Sequence, residues 1–267
     1  MRGSCYNQNV VPGVGCLFLV GFFALGPKVL QGSSCLTRLV FNVGLHKMGA
    51  TTFGIVMHQL GYSSIKLPKQ SLVSYSAANL ERDGFGALGS AFNLGNLAQK
   101  SLAVSDFPVF GFACELSAAY EDARFMIFER DFGSWFQSFR QDILCKWMHT
   151  GKSSDEHGKM GEIFMRRFWG DAYSKWERQK ETVCQNPNSS AWHEIEQAVF
   201  TVFQAHLASL ECIQPERFLS IPLNELKDSA ANVTGFLGCD PIDPENIWIH
   251  VSNSRQAPWT SSSDNEL

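Results

Sequence analysis

The sequence predicts an α/β protein, a P-loop-containing three-layer α/β/α sandwich with a mostly parallel central sheet. Short segments rich in β-branched and aromatic residues alternate along the chain with longer helical segments, an order typical of parallel sheets covered by helices. The first short segment runs into a glycine-rich stretch that opens a helix. The 267 residues, 45% of them hydrophobic and 18% charged, are enough for one domain with a sizeable core.

The remaining elements follow the same alternation. Strands are predicted where short apolar runs end at a glycine or a polar residue: Arg38–Val43, Ser101–Ser105, Arg124–Glu129 and Arg217–Leu223. Helices are predicted between and after them: Thr51–Leu60, Phe110–Tyr120, Ser134–Met148, Ala191–Leu210 and Lys227–Leu237. We expect residues 68–100 to form loops and short helical pieces, and residues 149–190 to form an insertion or lid outside the core.

The N-terminal region differs from the rest, since no charged residue occurs from Val10 to Pro27. Such a run is at the lower length limit for a membrane-spanning helix. Three alternatives therefore stay open: the segment is a signal-anchor, it is a cleaved signal peptide, or it is neither. We divide the chain into an apolar anchor or signal segment with its linker at 1–36, a P-loop domain at 37–255 and a disordered tail at 256–267. Two N-x-[ST] sequons, at Asn188 and Asn232, fit a lumenal domain.

The overall charge and the cysteine pattern disfavour two classes of site. A net charge of −4 argues against a broad nucleic-acid interface. The eight cysteines contain no C-x-x-C pair, and the seven histidines contain no close pair of metal ligands, so no metal site is predicted. Disulfides can form, but the sequence does not say which cysteines pair.

The glycine-rich stretch FNVGLHKMGATTFG, from Phe41 to Gly54, has the glycine spacing of an ATP-binding P-loop without its lysine. Ala50 follows the second glycine, and the only lysine of the stretch, Lys47, precedes that glycine. The loop amides and the start of the next helix form an anion site. Lys47 can neutralise a phosphate there, and Thr51 and Thr52 can donate hydroxyl hydrogen bonds to it. A kinase is disfavoured, because Ala50 stands where that class has lysine.

Polar side chains also follow two later strands. Asp106 comes directly after the second predicted strand and can act as a general base or as a helix cap. Arg130 ends the third strand, and Ser138 lies eight residues further on in the following helix. An arginine at a strand end can bind a second phosphate in bidentate fashion, or it can pair with a neighbouring carboxylate such as Asp131. Because ligands bind at the carboxyl ends of parallel strands, we expect these residues near the loop.

Several separate blocks, in order, resemble the PAPS-dependent sulfotransferases. They are K-x-G-x-T-T in the loop, the stretch SDFPVFGFACELSAAYEDARFMIFERDFGSWFQSF from Ser105 to Phe139, FLGCDPIDPE from Phe236, and HVSN ending at Asn253. The resemblance extends over about residues 39–253. It implies a P-loop fold and sulfuryl transfer from PAPS (3′-phosphoadenosine-5′-phosphosulfate) to a hydroxyl or amine, with no metal.

The same resemblance implies roles for individual residues. The loop residues would surround the 5′-phosphosulfate. They are His46, Lys47, Met48, Gly49, Ala50, Thr51 and Thr52. Arg130 and Ser138 would hold the 3′-phosphate that distinguishes PAPS from ATP. Lys47 would be catalytic by stabilising the leaving phosphate oxygen, and Asp106 would be the catalytic base, with Glu115 and His46 in reserve.

Two loop positions depart from the family pattern. Met48 stands where a serine or threonine is usual, and Ala50 where a threonine is usual. Each lost hydrogen bond to a charged group costs roughly 1.5–3 kcal/mol, so donor affinity would fall by about one to three orders of magnitude. The alternative is therefore a catalytically weak or inactive binding protein with the same fold. Phe132, in place of a common proline, is expected to be tolerated.

The acceptor and the cellular location are not readable from the residues. A small molecule, a glycan or a protein can serve as acceptor, and the oligomeric state is open. If residues 10–27 form an anchor, we expect a single-pass type II protein of the Golgi or secretory-pathway membrane with a lumenal catalytic domain. If they do not, we expect a cytoplasmic enzyme acting on small hydroxyl compounds.

Overall fold

The structure is a computed structural model that describes residues 35–66, 101–149, 156–241 and 243. The strands in this part are β1 (Leu39–Asn42), β2 (Ser63–Lys66), β3 (Leu102–Ser105), β4 (Arg124–Glu129) and β5 (Phe218–Pro222). The α-helices are α1 (Ala50–Gln59), α2 (Ala113–Ala119), α3 (Phe132–Phe139), α4 (Glu156–Trp169), α5 (Asp171–Gln185), α6 (Ala191–Ser209) and α7 (Ala230–Leu237). A π-helix, Arg140–Met148, continues α3, and a 3₁₀ turn, Val109–Phe112, precedes α2.

The strands form one sheet in the order β2-β3-β1-β4-β5, and every pairing in it is parallel. The central strand β1 pairs Phe41 with Val104 of β3 on one side and with Phe125 of β4 on the other. Because parallel strands end at the same edge, the residues that follow β1, β3 and β4 come together there. The predicted mostly parallel α/β fold is confirmed.

The two faces of the sheet carry separate hydrophobic cores, which gives the three predicted layers. Side chains alternate along a strand, so Phe41 of β1 faces one core and Val40 faces the other. The first core contains residues of α2 to α6, and the second contains residues of α1 and α7. Both faces are covered, and the four residues of β1 are accordingly all buried.

The expectation that residues 149–190 form a lid outside the core is wrong for the described part, residues 156–190. Helices α4 and α5 lie there, and Phe164, Trp169 and Trp176 are almost completely buried in the first core. The many charged residues of this region hid the apolar face, because they occupy the outer sides of the same two helices. The edge strand β2 was also missed, since its sequence SSIK is too polar and short for a recognisable strand.

Three disulfides brace the domain. They join the pairs Cys35–Cys239, Cys114–Cys212 and Cys145–Cys184. The first of them links the beginning of the domain to the end of α7, where Leu36 N–H also donates to Gly238 O at 3.1 Å. The structure therefore supplies the pairing, left open by the sequence, of the six cysteines in its described part.

Several predictions concern residues outside the described part. The apolar segment 10–27, the loops at 68–100, the HVSN stretch and the tail at 256–267 belong to this group. Among the described residues, no helix has both the length and the apolar character needed to cross a bilayer.

Candidate active site

The loop between β1 and α1 is closed by its own short-range hydrogen bonds. Gly44 N–H donates to Asn42 Oδ1 at 2.9 Å, and Met48 N–H donates to Leu45 O at 3.0 Å. Gly49 precedes the first residue of α1 and has a left-handed φ of 75°. A Cβ at Gly49 would lie 2.9 Å from a ring carbon of Phe128, so both the backbone angle and the packing require glycine there.

Two buried ring nitrogens hold carbonyl groups at the start of this loop. His206 Nε2 of α6 lies 2.9 Å from Val43 O, and Trp135 Nε1 of α3 donates to His46 O at 2.7 Å. Burial lowers the pKa of His206 to about 4, so the ring is neutral at pH 7 and its Nε2 carries the proton that the carbonyl accepts. The loop is thus fastened from the core side by α3 and α6, and the sequence contained no signal for either contact.

Lys47 projects from the loop and meets a carboxylate that sequence reasoning did not identify. Its backbone has a left-handed φ of 68°, and its Nζ lies 2.6 Å from Asp142 Oδ2. The side chains are 29% and 41% exposed, respectively, so the pair is only partly screened by water. Asp142 belongs to the π-helix, a rare wide helix that often marks functional sites. In the sequence it is an ordinary polar position of an amphipathic helix, which is why it was missed.

Arg130 and Ser138 are brought together as predicted. The Arg130 guanidinium donates to Lys47 O at 2.9 Å, to Ser134 O at 3.2 Å and to Ser138 Oγ at 3.4 Å. The Asp131 carboxylate caps α3 by accepting from Ser134 N–H at 2.9 Å, and its charge acts on the Arg130 guanidinium without forming an ion pair with it. The predicted phosphate-binding pair therefore lies directly beside the lysine of the loop.

The electrostatics of Arg130 fit an anionic ligand. Its guanidinium is half-buried, and burial lowers its pKa from the ordinary value. No carboxylate of the described residues lies within ion-pair distance of it. A partly buried cation held by neutral oxygens gains from a neighbouring anion. One phosphate beside Arg130 and Ser138 would give the guanidinium an anionic partner, and another beside Lys47 would compete with Asp142 for the ammonium group.

His46 and Asp106 lie close enough to each other to interact electrostatically. Burial lowers the pKa of His46 to about 4, the Asp106 charge opposes that shift, and the Lys47 charge adds to it. The His46 ring packs edge-on against Phe110 with a centroid separation of 4.8 Å, and its Nδ1 has no hydrogen-bond partner in the described part of the chain. Asp106 has a left-handed φ of 78°, and its Oδ1 accepts from Phe107 N–H at 2.9 Å.

The remaining loop residues need one correction. Met48 was predicted among the ligand-binding residues, but its side chain is 1% exposed within the first core and its N–H is committed to the loop carbonyl already described. Met48 therefore anchors the loop by packing instead of facing a ligand. Ala50 and Thr51 are partly buried in the first turn of α1, and Thr52 is buried at 2% exposure.

Glu115, which was held in reserve as the catalytic base, lies elsewhere. Glu115 borders an open cavity of about 340 Å³ that is also lined by Phe110, Phe168 and His206. No loop residue borders this cavity among those described, although its lining residues Phe110 and His206 contact His46 and Val43.

Comparison with known proteins identifies the family. A family model described as "Sulfotransferase domain" matches residues 39–244, which is most of the chain. No curated protein matches the chain. In the parts of the fold that are described, no cluster of His, Cys, Asp or Glu could hold a metal ion. The matched region contains the β1–α1 loop with Lys47, Arg130 at the end of β4, and Ser138 in α3. The chain belongs to the sulfotransferase family.

Proposed function

We propose that this chain transfers a sulfuryl group from PAPS to a hydroxyl or amine of an acceptor. The proposal rests on the close approach of Lys47, Arg130 and Ser138 at one edge of the sheet. The Arg130 guanidinium donates hydrogen bonds to Lys47 O, at 2.9 Å, and to Ser138 Oγ. Two cations at this edge suit a donor that carries anionic groups on both its 5′ and 3′ positions. Family membership supports sulfuryl transfer in general, and this pair of cations favours PAPS as the donor.

The proposed chemistry is an in-line displacement at sulfur. The acceptor oxygen or nitrogen forms a bond to sulfur while the bond from sulfur to the 5′-phosphate oxygen breaks. Lys47 stabilises the negative charge that develops on that leaving oxygen. A carboxylate takes the acceptor proton, and we assign this role to Asp106, whose backbone is fixed between β3 and the Val109–Phe112 turn.

Asp142 adds a step that the sequence did not predict. Lys47 Nζ lies 2.6 Å from Asp142 Oδ2. The lysine must leave this carboxylate, or share its charge with it, before it can serve the 5′-phosphosulfate. Donor binding and the ion pair therefore compete for the same ammonium group.

Nucleotide binding tests the donor. Calorimetric titration of the full chain with adenosine 3′,5′-bisphosphate, the spent donor, should give micromolar affinity, whereas ATP with magnesium should bind far more weakly. Both Lys47→Ala and Arg130→Ala should abolish the bisphosphate signal, and Lys175→Ala, which removes a cation in α5 paired with Asp171, should leave it unchanged. A folded protein that prefers ATP with magnesium would refute the proposed donor.

A second function is favoured by one specific feature of the loop. Neither Met48 nor Ala50 offers a hydroxyl, and Met48 is turned into the core. The alternative is a catalytically weak or inactive sulfotransferase-fold protein that binds the donor weakly and acts through interactions with other molecules. Bisphosphate binding without turnover on a broad panel of hydroxyl and amine acceptors would favour that alternative.

We further propose a lumenal location, with residues 10–27 as a type II anchor in the Golgi or secretory-pathway membrane. The three disulfides support this, because such bonds persist in oxidising compartments and are rare in the cytosol. Glycans and proteins are then the favoured acceptors. Protease protection of the domain in intact microsomes tests the location, and digestion before the membrane is opened would contradict it.

A further inference from the structure

The cysteine chemistry of the fold points to a particular kind of covalent modification. Every cysteine in residues 35–66, 101–149 and 156–241 is part of a disulfide. A domain with this bonding pattern matures where thiols are oxidised. The eukaryotic compartment that oxidises thiols also glycosylates asparagine in N-x-[ST] sequons. The two sequons of this chain therefore become candidate acceptors, and the structure distinguishes between them.

The first sequon is presented at the surface. Asn188 lies in the turn between α5 and α6 and is exposed, as is Ser190. Its backbone N–H donates to Asn186 Oδ1 at 3.1 Å, while its side-chain amide bonds to no residue of the described chain. The amide and the serine hydroxyl of the sequon are thus both reachable from solvent, on a short irregular segment where the backbone is not part of a helix.

The second sequon is not presented in this way. Asn232 is exposed, but it lies inside α7, and Thr234 is 2% exposed. The Thr234 hydroxyl donates to Ala230 O and to Ala231 O, both at 3.2 Å. The hydroxyl that a sequon must offer is therefore buried and engaged within the helix.

We propose that Asn188 carries an N-linked glycan and that Asn232 does not. In this step the Asn188 amide nitrogen bonds to the anomeric carbon of an oligosaccharide carried on a polyprenyl diphosphate. The bond from that carbon to the diphosphate oxygen breaks, the polyprenyl diphosphate leaves, and the amide gives up one proton. The inference is independent of the proposed sulfuryl transfer.

Asn188 lies at the far end of helix α6 from the residue of that helix that contacts the loop. Helix α6 begins at Ala191 and reaches the loop at His206, which contacts Val43 O. Fifteen residues of α-helix extend over about 22 Å. A glycan on the turn before α6 is therefore attached at the opposite end of this helix from the loop.

Gel mobility before and after peptide-N-glycosidase treatment tests the proposal. The full chain is expressed in a eukaryotic cell as wild type and as Asn188→Gln, Ser190→Ala, Ser190→Thr and Asn232→Gln. The Ser190 pair is well matched, because this side chain makes no capping hydrogen bond to α6. We expect one glycosidase-sensitive shift in wild type, Ser190→Thr and Asn232→Gln, and its loss in Asn188→Gln and Ser190→Ala. A wild type without a glycan, or a shift that persists in both loss variants, would overturn the proposal.

Discussion

Replacing Asp142 by asparagine should strengthen binding of adenosine 3′,5′-bisphosphate. The change keeps the size of the side chain and removes the negative charge that lies 2.6 Å from Lys47 Nζ. In the wild type, an incoming phosphate must take the ammonium group from this carboxylate and also lie near its charge. Both costs disappear in Asp142→Asn, so the bound state gains relative to the free protein.

The magnitude follows from the exposure of the pair. The two side chains are 29% and 41% exposed. An ion pair with this exposure contributes only about 0.2–1 kcal/mol of interaction free energy. Repulsion between a carboxylate and a phosphate about 5 Å apart adds roughly 1–3 kcal/mol at effective dielectric constants of about 20 to 80. Allowing for water and counterions, we expect a net gain of about 1–2 kcal/mol, or roughly a 5- to 30-fold lower Kd.

Calorimetric titration at two ionic strengths measures this gain. The effect should shrink at about 0.5 M salt, because the Debye length then falls below the separation of the charges. Asp171→Asn is the matched control, since it removes a carboxylate 3.0 Å from Lys175 on α5 and should leave the Kd unchanged. An unchanged or higher Kd in Asp142→Asn, with a normal control, would refute the idea that Asp142 competes with the donor.

Three further predictions concern the site and its support. Arg130→Lys should weaken bisphosphate binding at least tenfold but leave adenosine 5′-phosphosulfate binding nearly unchanged, because only the 3′-phosphate uses the guanidinium; equal losses would contradict this. Gly49→Ala should lower the free energy of unfolding in urea by about 2–4 kcal/mol, from the left-handed φ and the overlap of the new Cβ. The control Gly235→Ala lies inside α7 with open space around the new Cβ, so it should raise the free energy of unfolding by roughly 0.5–1 kcal/mol. The pKa of His206 falls from 6.5 to about 4 on folding. Between pH 6.5 and pH 4 the unfolded chain therefore binds more protons than the folded chain. The free energy of unfolding must then drop as pH falls through this range. His206→Gln should remove about 3 kcal/mol of that drop, and an unaltered pH profile of unfolding would contradict the assignment.

The fold was largely predictable because its strongest signals are local. The apolar run at β1 and the glycine-rich loop after it define a strand, a turn and a helix without reference to the rest of the chain. The left-handed φ of Gly49 together with the close approach of Phe128 requires glycine at that point of the loop. Helices α4 and α5 were misjudged because charged residues on their outer faces masked the buried aromatic residues.

The site was predicted only in part, for a different reason. Lys47, Arg130 and Ser138 follow strand ends or lie a fixed number of residues beyond them, so the sheet itself brings them together. Asp142 depends on how the helix after β4 widens into a π-helix, and His206 contacts the loop from 163 residues away along the chain. Contacts of this kind are set by packing between distant segments and leave no pattern in a single sequence.

The most direct test of the account is transfer of radiolabelled sulfur from PAPS by the full chain to a panel of glycan, protein and small hydroxyl or amine acceptors. We predict a labelled acceptor formed together with an equal amount of adenosine 3′,5′-bisphosphate. Lys47→Ala should lower that rate by about 10²- to 10³-fold, as expected for loss of one group that stabilises the leaving oxygen. A folded protein that binds the bisphosphate but transfers no label, or a rate that is unchanged in Lys47→Ala, would contradict the proposed reaction.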